Sequence, residues 1–323
     1  MIPHIFEATK HLDFATVVDA FSGTAAVSYL FKAMGKATVA NDHMYMSWQF
    51  ANALVANSTR TLSPSQTNRM LKTPANCDGF VQQNFSGIYF SESDSETIDR
   101  IRANSKTLRD DRQRSIATAA LIRACMKRRP RGIFTYTGDR YDDGRKDLQL
   151  PIAEHFRTAV DQINAAVFDN GRRCRATRGD ALTLRPRKNA LVYLDPPYFT
   201  PRSDNEYVRR YHFVEGIARN WEGVEIQQHT TTKKFKGYPT PFSTEQGAAA
   251  AFARLFERFR DSIILVSYSS NSLPNIDDLK TMLLEHKSDV TVIPVDYRYS
   301  FGTQAASARA NRNSVTEYLL VGV

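Results

Sequence analysis

Residues 191–198 read LVYLDPPY, an apolar run that stops at an acid, two prolines and an aromatic ring. Each proline fixes φ and removes a backbone donor, so Pro196 and Pro197 cannot continue a central strand; they end it rigidly. A stiff exit of this kind holds a carboxylate acceptor and an outward carbonyl beside a ring. That grouping suits a planar base with an exocyclic amine, with the ring stacking on Tyr198 and the amine donating to Asp195 and the Pro196 carbonyl. The plainer alternative is a strand stop, with Asp195 capping a turn and Tyr198 packing on the edge.

The rest of the chain says what sheet this strand belongs to. TVVDAF, the turn SGT, the helically spaced AAVSYLFKAM, Gly35 and ATVAND make a strand–turn–helix–strand unit from Thr16 to Asp42. A helix is expected through MYMSWQFANALVAN. Regularity then lapses over 58–150, where polar and proline-containing pieces flank one long helix expected from Ser95 to Arg129 and the aromatic loop GIFTYTGDRYDDG. Afterwards strands and helices alternate again. A helix is expected over 152–168, strands at ALVYLD, SIILVSYS, VTVIPVDY and SVTEYLLVGV, and helices at TEQGAAAAFARLFERF and NIDDLKTMLLEH. Residues 199–243 read as a polar and basic stretch. The pattern implies an α/β fold with a mostly parallel sheet covered on both faces and an antiparallel hairpin at one edge. Residues 1–57 and 151–323 would form its core domain, and 58–150 a largely helical insertion.

Composition constrains the partners. The 323-residue chain has a formal net charge of +9, and Arg100–Lys146 alone holds 14 Lys and Arg against 5 acids. The excess therefore lies in one segment, as expected of a module facing a polyanion, although a solvated helix face gives the same pattern. The three cysteines are far apart, with neither disulfide nor zinc spacing. The first residues lack a basic head and apolar core, and no apolar run is long enough to span a bilayer. A cytoplasmic protein without membrane contact is expected.

In an open α/β sheet, ligands bind beyond the carboxyl ends of the strands near the point where strand order reverses. Asp19, Asp42 and Asp195 close three strands here. Ser22, Gly23 and Thr24 allow close approach of backbone to a ligand, and Asp42 is placed like an acid that accepts from ribose hydroxyls.

Together, FSGT, the second-strand acid, RGDALTL and LVYLDPPY, in that order, make the chain resemble the Dam-like and Fok-type class of DNA adenine-N6 methyltransferases. GIYFSES and SVTEYLLVGV extend the resemblance over most of the chain. It implies a Rossmann-like class I methyltransferase fold with a seven-stranded sheet, in which 58–150 is the target-recognition insertion. It also implies that Asp19, Phe21, Ser22, Gly23, Thr24, Asp42, Asp180 and Asp195 bind S-adenosylmethionine, while Asp195, Pro196, Pro197 and Tyr198 hold the target adenine, with no metal required. Duplex DNA is the expected partner, together with a cognate restriction endonuclease. DNA contacts are expected from Arg128, Arg129, Arg131 and Arg140, and from Arg209, Arg210, Lys233 and Lys234, where basic and aromatic residues interleave.

The chain departs from the family pattern twice. Ala25 stands where a second glycine is usual, which costs about 1 kcal/mol if the turn needs positive φ. The family's short basic, glycine-containing motif precedes its first strand, and MIPHIFEATKHLDF resembles the helix that normally follows that motif, so reduced cofactor affinity is one expectation. Methylation of structured RNA and a non-catalytic DNA-binding role are the alternatives.

Overall fold

The computed structural model describes residues 1–138, 142, 144–201, 206–298 and 314–323. Seven strands form one sheet: β1 (Thr16–Asp19), β2 (Ala37–Asp42), β3 (Arg175–Arg178), β4 (Ala190–Leu194), β5 (Ile263–Ser269), β6 (Val290–Arg298) and β7 (Ser314–Gly322). Their spatial order is β3-β2-β1-β4-β5-β7-β6. The first five are parallel, and β7 runs antiparallel to both β5 and β6, which makes the expected edge hairpin. The order reverses at β1, flanked by β2 and β4. A crevice therefore opens beyond Asp19, Asp42 and Leu194.

Alternation along the central strands explains why both faces are covered. Val17, Leu191, Leu265 and Leu319 point to one face, where they pack with α1 (Ile2–Thr9) and α2 (Ala26–Ala33). Val18, Val192, Ile264 and Leu320 point to the other, under α10 (Glu245–Arg258) and α11 (Ile276–Leu284). A third core lies beside the sheet. It joins α3 (Tyr45–Leu54), α4 (Pro64–Met70), α5 (Phe80–Phe85), α6 (Glu92–Ser105), α7 (Asp111–Arg128), α8 (Ile152–Ala166) and α9 (Tyr207–Arg219) through Phe50, Met70, Phe85, Ile98, Ile116, Phe156 and Phe213. Helices α4 to α7 come from 58–150, and they share this core with helices on both sides of that segment.

Two expectations need correction. The helix expected from Ser95 to Arg129 is two helices, α6 and α7. The Asp110 side chain accepts from the backbone of Arg112 and Gln113 at 2.8 and 3.1 Å, and this cap starts a fresh helix after the break. The stretch 199–243 is not merely polar, because it contains α9. Val208, Phe213, Val214 and Ile217 are buried along α9, but so are His212 and Glu215, both 0% exposed. Those two buried polar side chains hide the helix's inner face from a reading of periodicity.

Glu215 has a specific partner. Helix α3 has no side-chain cap of its own. Instead, the backbone N–H groups of Tyr45 and Met46 donate to Glu215 Oε1 and Oε2, each at 2.9 Å. A carboxylate at a helix N-terminus also meets the positive end of the helix dipole. Burial nevertheless pushes the Glu215 carboxyl up, against the opposing pull of these donors and of the Tyr238 hydroxyl. Replacing Glu215 by Ala leaves two buried donors without an acceptor and is expected to cost about 2–4 kcal/mol. Glu215→Gln keeps one acceptor and should cost less, as urea unfolding of the two variants would measure.

Candidate active site at the strand switch point

The acids at the strand ends converge, but they do not play equal parts. Asp19 is 0% exposed and lies beneath the turn. Ser28 Oγ donates to its Oδ2 at 2.6 Å, while Oδ1 has no partner. Burial pushes its carboxyl up to about 7, with Ser28 opposing and the Asp195 and Asp42 charges adding to the rise. Asp42 Oδ2 accepts from Gly23 N and its Oδ1 from Met44 N, both at 2.9 Å, so it ties the turn after β1 to the end of β2. Burial raises the Asp42 carboxyl too, against these backbone donors.

The turn itself is left-handed twice, with φ of 51° at Gly23 and 64° at Ala25. Gly23 has open space around a notional Cβ, so its need is conformational and concerns φ alone. Ala25, where the family's glycine is usual, does adopt the positive φ that alanine disfavours. Its methyl is fully buried in the helical core, which offsets that cost.

Beyond the acids lies a cavity of about 300 Å³. Phe21, Gly23, Thr24, Asp42, Asp180, Asp195 and Pro197 of the expected site line it, whereas Asp19, Ser22, Pro196 and Tyr198 do not. Asp180 also caps a short 3-10 turn, accepting from Leu182 N at 2.9 Å. Asp195 is gripped from beneath: Tyr198 Oη donates to its Oδ1 at 2.7 Å, and Tyr193 also donates. Burial pushes the Asp195 carboxyl up to about 6, and these two phenols pull it back. The Tyr198 ring packs edge-on to Tyr268, with centroids 5.3 Å apart.

Among the described residues four acids line the cavity, namely Asp42, Asp180, Asp195 and Glu206, and no lysine or arginine does. Such a lining disfavours the phosphates of a dinucleotide and favours a cationic ligand. The opposite wall was missed by sequence reasoning. It consists of Glu206, Tyr207, Val208 and Tyr211 at the start of α9 and of Tyr238–Phe242. The signals available were the i, i+4 tyrosine pair in YVRRY and the aromatic, proline-rich YPTPF. His43 also lines the cavity and packs on Tyr238, with ring centroids 5.1 Å apart.

The expected DNA-contact residues fall into distinct groups. Arg129 is 4% exposed, with its guanidinium over Tyr89 and Tyr136 and its Nη2 donating to Tyr136 O. Enclosed in this way it holds the loop after α7 and does not present itself to a duplex, which corrects the expected surface role. Arg128 Nε pairs with Asp94 at 3.1 Å. Arg131, Arg209 and Arg210 are exposed, Lys233 and Lys234 are half-buried, and Arg140 lies outside the described residues. The two basic regions do meet. Phe134 N donates to Arg210 O at 2.9 Å, and the Tyr89 hydroxyl lies within 2.8 Å of both Phe134 O and Thr232 O.

Comparison with known proteins agrees in family. Residues 1–282 match the model of the D12 class N6 adenine-specific DNA methyltransferases. The chain is 27% identical to the type II methyltransferase M2.HphI of Haemophilus parahaemolyticus, over 96% of this chain and 91% of that protein. It is 26% identical to the modification methylase LlaI of Lactococcus lactis subsp. lactis, covering 94% of this chain and 50% of that one. With the type II methyltransferase M.FokI of Planomicrobium okeanokoites it shares 23% identity over 88% of this chain and 45% of that one.

Left-handed alanine costs about 1 kcal/mol, and a buried methyl returns about 0.8 kcal/mol. Ala25→Gly should therefore change the unfolding free energy by less than about 0.5 kcal/mol in a denaturant titration. A loss well beyond that would mean the methyl's packing outweighs the strain.

Proposed function

The chain belongs to the D12 class of N6 adenine-specific DNA methyltransferases, which methylate DNA adenine at specific sites, and from that premise we propose how its residues divide the work. The methyl donor is S-adenosylmethionine, held in the cavity at the switch point. The observation that carries this is the lining itself, with four carboxylates, aromatic walls and no described cation. That donor set fits a sulfonium. Asp42 would accept from the ribose hydroxyls, Asp180 from the adenine amine, and the Phe21–Thr24 turn would lie along the nucleoside. Asp19 sits too deep to touch it and would act through the turn.

The bound donor supplies a methyl group on positively charged sulfur, already electrophilic. What the protein must supply is a reactive, well-placed amine. The adenine N6 lone pair is delocalised into the ring, and hydrogen bonds from N6 to the Asp195 carboxylate and the Pro196 carbonyl pull it out of conjugation. Tyr193 and Tyr198 hold Asp195 in the accepting orientation, and the two prolines hold the backbone. Asp195 then receives the N6 proton. In-line placement of the two partners is worth up to about 7–11 kcal/mol in favourable cases.

The target nitrogen is inaccessible inside duplex, so the base must be extruded at a cost of a few kcal/mol, which phosphate contacts offset. Residues 58–150 would serve as the target-recognition insertion on the catalytic domain formed by 1–57 and 151–323. The exposed Arg131 of the insertion and Arg209 and Arg210 of the catalytic domain, brought together where Phe134 N meets Arg210 O, are the cations best placed for phosphates. A restriction endonuclease sharing the recognition sequence is the proposed partner, since the similar proteins are type II methyltransferases and modification methylases. No helix among the described residues is long and apolar enough to cross a membrane, and the cytoplasm is the proposed location.

Incubating the chain with labelled S-adenosylmethionine and unmethylated genomic DNA, then analysing the nucleosides, should yield N6-methyladenine. Absence of transfer to DNA would overturn this reading. Asp195→Asn should lower kcat on the order of 100-fold or more. Only the carboxylate form of Asp195 accepts from N6, and its carboxyl is pushed up to about 6. Turnover should therefore be full above that value and fall as pH drops through about 6, higher than an ordinary aspartate would give.

A further inference from the structure

Outside the insertion the charges cancel in number but not in place. Residues 172–188 carry seven Lys and Arg against a single acid, Asp180, and every one of the seven is exposed. The insertion treats its cations differently, since Arg100, Arg102, Arg114, Lys127 and Arg128 each face a carboxylate. Among the described residues no ion pair involves a cation of 172–188. Like charges crowded without acids repel one another, and a polyanion laid across them relieves that cost.

Topology gathers these cations on one edge of the sheet. Arg172 and Arg173 lead into β3, Arg185, Arg187 and Lys188 into β4, and the exposed Arg260 into β5. The three strands run the same way, so their lead-ins share the amino edge, opposite the catalytic crevice. Hydrogen bonds hold the connections side by side. Ser262 Oγ donates to Arg187 O at 3.3 Å and Arg258 Nη1 to Leu184 O at 3.1 Å, which fastens the loop before β4 to the turn before β5. Ala15 N donates to Asn189 O at 3.3 Å, and Asn170 Nδ2 to Lys36 O at 3.1 Å, which continues the row toward Arg172. From β3 to β5 the row spans about 19 Å at ordinary strand spacing. The acids in these connections are Asp13, Asp169 and Asp261, fewer than the cations.

We propose that this amino-edge surface binds the phosphate backbone of a second segment of duplex DNA, apart from the one engaged at the crevice. The choice of DNA as the polyanion rests on the methyltransferase reading above. The two edges are separated by about 17 Å along β4 alone, and duplex is too stiff to bend from one round to the other at little cost. An acidic protein fits less well. Stable protein interfaces centre on buried apolar or aromatic anchors, and among the described residues no large exposed hydrophobic side chain lies in 169–189 or 257–262. Arginines spaced along an edge suit phosphates, which they grip bidentately without reading base sequence. A chain holding two segments can pass from one to the other without release into solvent.

The test compares the wild-type chain with the combined variant Arg172→Gln, Arg173→Gln, Arg185→Gln, Arg187→Gln and Lys188→Gln, after equal urea midpoints have shown both to be folded. Protein loaded on a bead-bound duplex is offered a second, fluorescent duplex. Wild type should capture it and the variant should not. In titrations with short duplexes, wild type should take up two per chain and the variant one. The salt slope of the weaker site should be steeper than about −4, as five phosphate contacts require, and should vanish with that site in the variant. On a short duplex with one methylation site, kcat and KM of the variant should stay within about twofold of wild type, because the changed side chains are exposed and far from the crevice. Replacing the four arginines by lysine should preserve capture, since the surface needs charge. Capture undiminished in the glutamine variant would overturn the proposal and point to two crevices in a self-associated complex. Uptake of one duplex by wild type, with retention on polyglutamate that the variant loses, would overturn it in favour of an acidic protein. Failure of wild type to methylate any DNA would instead sink the methyltransferase reading, and the capture readout distinguishes that failure because it needs no turnover.

Discussion

The carboxylate of Glu215 joins three parts of the molecule that no strand pairing connects. It accepts from the backbone of Tyr45 and Met46 at the start of α3 and from the Tyr238 hydroxyl. Through α3 it fixes the end of β2 and hence Asp42; through its own helix it fixes Tyr207 and Tyr211; through Tyr238 it fixes the wall that closes over His43. A buried acid needs donors to offset its desolvation, and here they are two helical N–H groups and a phenol. One side chain thus ties together three of the walls that line the cavity.

The same economy governs the acids of the crevice. Asp19, Asp42 and Asp195 are crowded at neighbouring strand ends, and burial raises all three carboxyls. Asp42 is eased by backbone N–H groups, Asp195 by two phenols, and Asp19 by the Ser28 hydroxyl and the Phe21 backbone, while burial still pushes Asp19 up to about 7. A cationic ligand would relieve this strain, so donor binding and ionisation of the crevice acids are expected to favour one another. Charge is handled differently in the inserted helices. Arg102 is buried against Asp99 and Asn220, Arg128 pairs with Asp94, and Arg129 lies among rings. Much of the positive excess that suggests a polyanion partner is therefore spent on holding the insertion together. Arg131, Arg209 and Arg210, by contrast, are exposed.

Strand ends were legible because their cause is local. The apolar runs TVVD and LVYL, the tight turn at Gly23 and the two prolines after Asp195 each declare themselves within a few residues, whereas the strand order and the edge strand β3 do not. Helix α9 was not legible, since its inner face carries His212 and Glu215, residues that read as solvent-facing until their partners 123 and 170 positions away are known. The break between α6 and α7 was missed for a milder reason: helical residues continue through it, and only the Asp110 side chain marks the restart.

What the sequence by itself determined is the sheet, the acids at its carboxyl edge and the rigid exit that carries Asp195, because short-range sterics and periodicity impose them. Only the tertiary structure decided which of those acids face a ligand and which lie beneath, and that Tyr198 grips Asp195 while Tyr207 stands open. It also decided that Arg102, Arg128 and Arg129 of the basic segment serve the fold. These outcomes depend on desolvation and on hydrogen-bond partners far apart in the chain, and neither is defined until the cores have closed.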